Sequence, residues 1–458
     1  MPATGGDTTS SSHTTAGTPP ADRRPGWIRS RPLAVTNASY AALYAVDGAL
    51  LPFFSVYLAF VHGLSTAQIG FVLAASSIAA VLAPPILTVA ADRYGRAELL
   101  LLLALVGSAA ALLVFAFVGG YWWILVVYTV FSMAREPTRP LLDGIFFASQ
   151  RVIPVLARVS YHKVRIWGTF GYMVPGVLLY FVLTDEHSLW LLPLVAGGLA
   201  VAAIVTAYVL PTGLAAGLGG PAAPTHGSGP SLRDLVRAAG SLLRGRATAL
   251  FVLSMFLLQA SVTAYSAFYP LQVTEVVGLS PRWLGLVTNL GVLVELAYMA
   301  AFGWFVRRLG WRWLMVLGSG AAAIRVGLLA AFPTIGVVVG TQLLHGMVII
   351  VSMVAGRVIL DRRAPDQIRH TAQGLYAMIV LGGGRIVGSA LGGLVADDDL
   401  SLAFWSAAVA AALAMLGLAR ALREEPNSGP DGADGPDGPD ARRSEPRPAA
   451  VRSSERES

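Results

Sequence analysis

The chain has no cysteine, a single lysine and few charged residues for its length. Without cysteine it forms no disulfide, no thiolate nucleophile and no Cys-ligated metal site. Only 13% of its 458 residues are charged, whereas 55% are hydrophobic, and the mean hydropathy is +0.64. So little charge cannot cover the surface of a water-soluble protein of this size. The composition therefore places the chain in a lipid bilayer.

Motifs typical of soluble enzymes and nucleic-acid-binding proteins are missing as well. No phosphate-binding loop, zinc-ligand spacing or Ser-His-Asp arrangement stands in a polar segment, and nothing indicates nucleic-acid binding. We therefore expect no enzyme activity, no cofactor and no bound metal, and we do not expect an ATP-driven pump.

An internal repeat is the strongest feature that is present. Residues 63–95, GLSTAQIGFVLAASSIAAVLAPPILTVAADRYG, align without gaps with residues 278–310, GLSPRWLGLVTNLGVLVELAYMAAFGWFVRRLG, 215 positions later. Each copy predicts a turn, a membrane helix and a short basic stretch, and Ser65 with Gln68 forms a capping-box pattern. A repeat of this length predicts two similar helical bundles.

The apolar runs predict the fold class, an all-α membrane protein with twelve transmembrane helices in two pseudo-symmetric six-helix bundles. We place the bundles at residues 33–211 and 247–421, joined by a cytoplasmic linker with an amphipathic helix, residues 212–246. Disordered cytoplasmic tails are expected at residues 1–32 and 422–458. The helices are expected at about 33–60, 67–90, 98–118, 122–148, 164–183, 189–210, 247–273, 283–306, 312–332, 334–355, 371–395 and 401–421.

Loop charges predict the orientation. Nearly all loop arginines fall on one side of the predicted spans, and by the positive-inside rule this side and both termini are cytoplasmic. We expect a multi-pass protein of the cell membrane. The first span is expected to be retained, because it is about twice as long as the apolar core of a signal peptide. The opposite side carries Arg282 together with Asp185, Glu186, Glu275, Asp397, Asp398 and Asp399.

Nine charged residues lie within the predicted spans. Exposure to lipid would cost roughly 3 kcal/mol for each of them, so we expect them to face a polar interior. Their mixed signs indicate a cavity that a polar solute and protons can cross. Structural ion pairs between helices are the alternative for any single residue. The nine are Asp47, Arg135, Glu136, Arg139, Asp143, Arg165, Glu295, Arg325 and Arg385.

Smaller patterns predict local geometry. Pro52 follows Asp47 in the first span and predicts a kink there. Arg135, Arg139 and Asp143 recur at four-residue steps, so they are expected to share one face of the fourth span. Close helix packing is predicted at Gly168, Gly171, Gly384, Gly388 and Gly392.

The sequence DRYGR that follows the second span resembles the loop between helices two and three of the major facilitator superfamily. The resemblance implies a conformational latch in which Asp92 meets the amino-terminal end of helix eleven and favours the outward-open state. Thr88 replaces the usual first glycine of this loop, and Arg307 replaces the acid in the second copy. The acid-based latch is therefore expected only in the first half, at Asp92, Arg93, Gly95 and Arg96.

From LLPFFSVYL to HTAQGLYAMIVLGGG, the chain is similar to the branch of lactose permease, nucleoside:proton symporters and phenylpropionate-type permeases. The stretch RIWGTFGY matches one in which the permease arginine binds sugar hydroxyls and the last aromatic residue stacks on the sugar ring. This implies substrate-binding roles for Arg165 and Tyr172. Asp143 falls where the permease has its sugar-binding carboxylate, and Arg139 is assigned to the same site.

The resemblance also implies a proton-coupling group. Arg325 and His345 are 20 residues apart, like the arginine and histidine of permease helices nine and ten. Val348 stands where the permease has a glutamate one turn after the histidine. We therefore assign the proton to Glu295 with Arg325 and His345, and to Asp47 as a further intramembrane acid. For His345, hydrogen-bonded packing is the alternative.

These features together predict a secondary-active transporter that works by alternating access. The expected partners are a proton and a small organic solute of the sugar, nucleoside or aromatic-acid class, moved in symport. Two alternatives remain at this point: proton-antiport efflux of drugs or metabolites, and a non-transporting membrane receptor.

Overall fold

The computed structural model describes residues 26–210, 245–363 and 369–423. Most of the predicted amino-terminal tail, the linker with its amphipathic helix, and the carboxy-terminal tail beyond Arg423 lie outside the described residues. All regular secondary structure within these ranges is helical. The first helix begins at Gly26, seven residues before the predicted start of the first span, and its candidate membrane span begins at Arg31.

The helices of the amino-terminal half run up to Tyr208. Single 3₁₀ segments at Leu51–Phe53 and Glu186–Leu191 lead into α2 and α9. The helices are α1 (Gly26–Leu50), α2 (Phe54–His62), α3 (Thr66–Tyr94), α4 (Ala97–Phe115), α5 (Tyr121–Arg135), α6 (Thr138–Val152), α7 (Pro154–Ala157), α8 (Tyr161–Val182) and α9 (Leu192–Tyr208).

The helices of the carboxy-terminal half are more often interrupted. Widened π-helical turns at Gln272–Val276, Ile350–Ala355 and Ala377–Gly383 continue three of its spans. Its helices are α10 (Arg246–Leu271), α11 (Leu284–Ala300), α12 (Phe302–Ala331), α13 (Ile335–Gly340), α14 (His345–Ile349), α15 (Gly356–Arg363), α16 (Arg369–Tyr376), α17 (Gly384–Asp398) and α18 (Leu400–Ala421).

Ten helical segments in the described ranges are long and apolar enough to cross a membrane. They correspond to the first three and the sixth to twelfth predicted spans. The fourth span is split into α5 and α6, and each of these helices has 15 residues, too few to cross a membrane alone. The fifth, α8, is a helix of 22 residues that contains Lys163 and Arg165. The all-α membrane fold is confirmed, and the count of twelve spans stays a prediction.

The internal repeat forms the expected local structure. The N–H of Gln68 donates to the Ser65 hydroxyl at 3.4 Å, and the Ser65 N–H donates to the Gln68 side chain at 3.1 Å. The predicted capping box is therefore confirmed. Gly95 and Gly310, the last residues of the two copies, have φ angles of 61° and 71°, a region that glycine adopts without strain. Gly95 ends α3, and Gly310 forms a kink within α12.

Prolines interrupt two spans of the first half. The predicted kink at Pro52 is confirmed, because α1 ends at Leu50, residues Leu51–Phe53 form a 3₁₀ turn, and α2 begins at Phe54. The fourth span is also broken, since α5 ends at Arg135 and α6 begins at Thr138. Pro137 lies between them and has no N–H to continue the hydrogen bonds of α5. The prediction of one helix over residues 122–148 is corrected accordingly.

Each half is held together by close helix pairs. Helix α1 packs along α8 and α9, and α18 packs along α10 and α12. Predicted packing glycines lie at the α1–α8 pair and at a further pair, α10 with α17: a Cβ on Gly171 would meet the Ala41 carbonyl, and one on Gly388 would meet the Ala260 carbonyl. Glycine at these positions lets the helix backbones touch.

The two halves meet at two crossings, α3 with α17 and α8 with α11. At the first crossing Gly70 lies against Gly393, and at the second Gly176 lies against Gly285. We call the end of the molecule at which α3 begins and α17 ends the acidic end, and the opposite end the basic end. Both glycine pairs lie toward the acidic end, so the halves are closed there.

Polar bonds join the halves at the same crossings. The carboxylate of Asp397 accepts hydrogen bonds from the Thr66 hydroxyl and the Ala67 N–H, each at 3.1 Å. The Asn289 side-chain amide donates to the Met173 carbonyl at 2.7 Å. Asp397 thus caps the first turn of a helix from the other half, where an acid is favourable.

Candidate solute and proton site

A cavity of about 610 Å³ lies between the two halves. Its walls come from α1, α2, α3, α5, α6 and α8 on one side and from α10, α11, α12, α14 and α17 on the other. The expectation of a polar interior is met, since eight of the nine charged residues singled out in the sequence line this cavity. They are Asp47, Arg135, Glu136, Arg139, Arg165, Glu295, Arg325 and Arg385.

An ion cluster joins α1 to α5 and α6. Asp47 is buried and accepts bonds from Arg135 Nε at 3.2 Å and Nη2 at 2.9 Å. Arg139 Nη2 donates to the same carboxylate at 2.7 Å, and Glu136 lies 3.9 Å from the Arg139 guanidinium. Arg135 also donates to the Thr138 hydroxyl at 2.9 Å. One buried carboxylate therefore holds two arginines in the amino-terminal half.

Asp143 also faces α1 but does not line the cavity. Its carboxylate accepts a hydrogen bond from the Tyr40 hydroxyl at 2.6 Å, and Tyr40 is buried. Arg135, Arg139 and Asp143 thus contact one face of α1, as their spacing predicts, even though the span is broken between them. The substrate-binding role of Asp143 stays a prediction.

Arg165 and Tyr172 enter the cavity from α8. The Arg165 guanidinium lies 4.1 Å from the ring centroid of Tyr44, and Arg139 lies 5.3 Å from the same ring. Gly168, one turn after Arg165, is against this ring, where a Cβ would lie 2.7 Å from it. The glycine therefore leaves room for Arg165 to stack on Tyr44.

A hydrogen-bonded chain forms the opposite wall. Arg325 is buried and donates to His345 Nδ1 at 2.6 Å and to the side-chain oxygen Oε1 of Gln342 at 2.9 Å. The Gln342 amide in turn donates to the Tyr269 hydroxyl at 2.8 Å. The Arg325 guanidinium also lies 4.4 Å from the ring centroid of Tyr265.

The arginine fixes the tautomer of the histidine. A guanidinium has only donors, so His345 Nδ1 must be an acceptor, and the neutral ring carries its hydrogen on Nε2. That atom lies 3.7 Å from the Glu295 carboxylate, which is about one third exposed to the cavity. Glu295, His345 and Arg325 therefore form one chain, and their role in proton coupling stays a prediction. Asp47 lies instead with the arginines of the other half.

Arg385 reaches the cavity from α17. The glycines at positions 384, 388 and 392 pack against α10, which confirms their predicted packing role. Arg385 and Ser389 each follow one of these glycines by one residue, so they share the adjacent face of α17. Both line the cavity. The sequence singled out Arg385 but assigned no role to it.

The predicted latch lies at the basic end. Arg93 is in the last turn of α3, Gly95 is its left-handed cap, and Arg96 precedes α4. The side chain of Asp92 and residues 364–368 before helix eleven lie outside the described part of the chain. The latch therefore stays a prediction.

Several side chains that hydrogen-bond or stack in or beside the cavity were not identified in the sequence. They are uncharged, and polar or aromatic residues are common in membrane helices, so hydropathy does not single them out. Gln342 carried one available signal, because it stands one turn before His345 on the same helical face. The missed residues are Tyr40, Tyr44, Tyr269 and Gln342.

Curated relatives of known or putative function are similar over most of the chain. The maltose permease of Geobacillus stearothermophilus is 28% identical over 78% of this chain and 86% of its own. The putative nucleoside transporter YegT of Escherichia coli K12 is 27% identical, covering 73% and 78%. The probable 3-phenylpropionic acid transporter of the same organism is 25% identical, covering 82% and 94%.

Solved structures share the fold. The nucleoside transporter NupG superposes with a TM-score of 0.71 at 19% identity, covering 86% of this chain and 99% of its own. The D-xylose-proton symporter superposes with a TM-score of 0.58 at 17% identity, covering 86% and 97%.

Two helical halves around a charged central cavity define a membrane transporter of the major facilitator class. Residues 35–407 match the model of the MFS_1-like family, and the chain belongs to that family. It is therefore a multi-pass membrane transporter, and not an enzyme.

Proposed function

We propose that the protein moves a small organic solute across the cell membrane together with a proton, by alternating access. The observation that carries this proposal is the chain of Glu295, His345 and Arg325 on one wall of a cavity of about 610 Å³. The sugar, nucleoside or aromatic-acid class predicted for the solute is supported by the similarity to a maltose permease, a putative nucleoside transporter and a probable 3-phenylpropionic acid transporter.

The tautomer of His345 makes Glu295 the proton carrier. A second proton on the imidazole would have to bind Nδ1, and it would displace the hydrogen bond from Arg325 at 2.6 Å. Glu295 has no such obstacle and is partly exposed to the cavity. A proton that arrives through the cavity therefore binds the carboxylate and removes its charge.

Glu295 is placed to act on the closure between the halves. It stands on α11, ten residues or about 15 Å along the helix from Gly285, which lies against Gly176 of the first half. The same helix packs on the histidine, because Gly291 lies against Gln342 and His345. Neutralising Glu295 changes the forces on α11 and thereby on the crossing at the acidic end.

We place the acidic end outside the cell, following the arginine-rich loops at the other end. With the halves joined at the acidic end, the described arrangement is then closed to the outside. The predicted latch at Asp92 belongs to the opposite, cytoplasmic end. Alternating access in this scheme opens one set of contacts as the other forms.

Purified protein in liposomes tests the proposal. Uptake of maltose, uridine and 3-phenylpropionate is followed together with the external pH, with protein-free liposomes as the control. We expect one of the three solutes to enter and the medium to become more alkaline, because the proton enters with it. Uptake without a pH change would remove the proton from the proposal. Acidification of the medium during uptake would indicate antiport, and binding without flux would indicate a receptor.

A further inference from the structure

The charges that line the cavity do not balance. Five arginines face it, but only three carboxylates do, Asp47, Glu136 and Glu295. His345 does not change this count, because its Nδ1 accepts a hydrogen bond from Arg325 and the ring is neutral. An excess of positive charge in a membrane interior is costly unless a counter-charge enters.

Four of the five arginines have partners of their own. Arg135 and Arg139 share the carboxylate of Asp47. Arg165 stacks on Tyr44, and Arg325 has the histidine and amide bonds and the ring of Tyr265. Within the described ranges, Arg385 is the one cavity arginine without a carboxylate, hydrogen-bond or ring partner.

We infer that Arg385 binds an anionic group of the solute, and that the solute is an organic carboxylate. A guanidinium is planar and always charged, and its paired N–H groups match the two oxygens of a carboxylate. One carboxylate therefore supplies the partner that Arg385 lacks. The inference rests on the proposed function and narrows its solute class to an organic acid.

The surroundings of Arg385 favour an apolar or aromatic body on this acid. Arg385 and Tyr128 of α5 both line the cavity. Tyr128 and Phe131 have ring centroids 5.6 Å apart and both line the same wall. Ser389, one turn beyond Arg385, adds a hydroxyl on the same helical face. A carboxylate at Arg385 would thus place its body against the aromatic rings of α5.

The position of Arg385 also connects the solute to the closure of the acidic end. Gly393, eight residues or about 12 Å further along α17, lies against Gly70 of the first half. Glu295 and Gly285 have the same relationship on α11. The proton and the anionic group therefore bind to α11 and α17, the two helices of the carboxy-terminal half that take part in the crossings. Both ligands thus act on the same conformational equilibrium.

Matched pairs of ligands test the charge requirement. The full-length protein is purified in detergent, and its affinity is measured calorimetrically for 3-phenylpropionate, benzoate and indole-3-acetate and for the uncharged amide of each acid. We expect at least one acid to bind and to bind about tenfold or more tightly than its amide. Absence of binding by every acid, or equal binding of acid and amide, would overturn the inference.

Variants then assign the preference to Arg385. We expect Arg385→Gln to weaken binding of the acid at least tenfold and to leave the amide within about twofold, whereas Arg385→Lys keeps part of the preference. Arg420→Gln, an exposed arginine at the end of α18, is the matched control and should behave as wild type. An unchanged acid preference in a folded Arg385→Gln protein would contradict the assignment.

The liposome experiment separates this inference from the proposed function. If uridine or maltose enters with protons and no acid binds, the proposed transport stands and the organic acid is rejected. If a carboxylate binds at Arg385 but no solute crosses the membrane, the inference stands and the transport is rejected.

Discussion

Gly70 and Gly285 occupy equivalent positions of the internal repeat, 215 residues apart, and each lies against a glycine of the opposite half. A Cβ on Gly70 would lie 2.9 Å from Cα of Gly393, and one on Gly285 would lie 2.7 Å from Cα of Gly176. Both distances are too short for a side chain, so these two crossings close only with glycine. The duplication has placed the same close contact on both sides of the cavity.

A larger side chain at either glycine should open the acidic end. The chain has no cysteine, so Thr288→Cys in the cavity wall gives a single site for a membrane-impermeant maleimide. We expect Gly70→Leu and Gly285→Leu to raise labelling from the acidic side about tenfold, a shift of about 1.4 kcal/mol. Gly198→Leu is the control, since nothing lies within 4 Å of its Cβ position. Wild-type labelling in both crossing variants would show that they do not close the cavity.

The cap formed by Asp397 should stabilise the same closure. Asp397→Ala removes the two hydrogen bonds to Thr66 and Ala67, each of which is worth about 0.5–1.5 kcal/mol. The summed loss of about 1 kcal/mol or more should raise labelling of Thr288→Cys from the acidic side at least about fivefold. Asp398→Ala, at the exposed neighbouring position, is the matched control. Equal labelling of the Asp397 and Asp398 variants would argue against a role for the cap.

The buried ion cluster of the first half should depend on its carboxylate. Asp47→Asn leaves Arg135, which is 4% exposed, without a counter-charge and should lower the free energy of unfolding by about 3–5 kcal/mol. Thermal unfolding in detergent measures the loss. The double variant Asp47→Asn, Arg135→Gln should recover part of it. Glu136→Gln is the control, because its weak pair with Arg139 contributes less than about 1 kcal/mol. A stable Asp47→Asn protein would contradict this role.

Arg165 and Asp143 should differ, although the sequence assigns both to the solute. Arg165 lines the cavity, so Arg165→Lys, which loses the planar fork, should weaken solute binding at least tenfold. Asp143 accepts a hydrogen bond from Tyr40 outside the cavity wall. We therefore expect Asp143→Asn to lower the stability of the protein and to leave its affinity for the solute within about threefold of wild type. Tyr40→Phe is its matched control and should behave alike. A large loss of affinity in Asp143→Asn with normal affinity in Tyr40→Phe would restore the direct role.

The sequence predicts those parts of the molecule that local chemistry determines. Ser65 and Gln68 cap a helix because they stand three residues apart, and Pro52 breaks a helix because it lacks an N–H. The cost of a charge in lipid is equally general, and it identified eight of the residues that line the cavity. The break at Pro137 could have been predicted by the same reasoning.

The remaining features depend on contacts between distant residues. The spacing of Arg135, Arg139 and Asp143 predicts a shared helical face. Only the packing of α1 shows that Asp47 binds the two arginines and that Tyr40 donates a hydrogen bond to Asp143. Uncharged partners such as Tyr44 and Gln342 have no distinctive hydropathy. The lack of a partner for Arg385 can be recognised only from the structure, because the structure shows the partners of the other four cavity arginines.

The central claim is that Glu295 carries the proton, and proton-driven accumulation of solute in liposomes tests it most directly. A pH difference of one unit stores about 1.4 kcal/mol per proton, which allows about tenfold accumulation of a solute moved with one proton. We predict that Glu295→Gln loses this accumulation and the associated pH change but keeps counterflow exchange of the solute, and that His345→Ala is impaired less completely. Glu275→Gln, at an exposed position outside the cavity, should accumulate solute as wild type does. Full proton movement and accumulation by Glu295→Gln would contradict the claim and transfer the proton to Asp47 or Glu136.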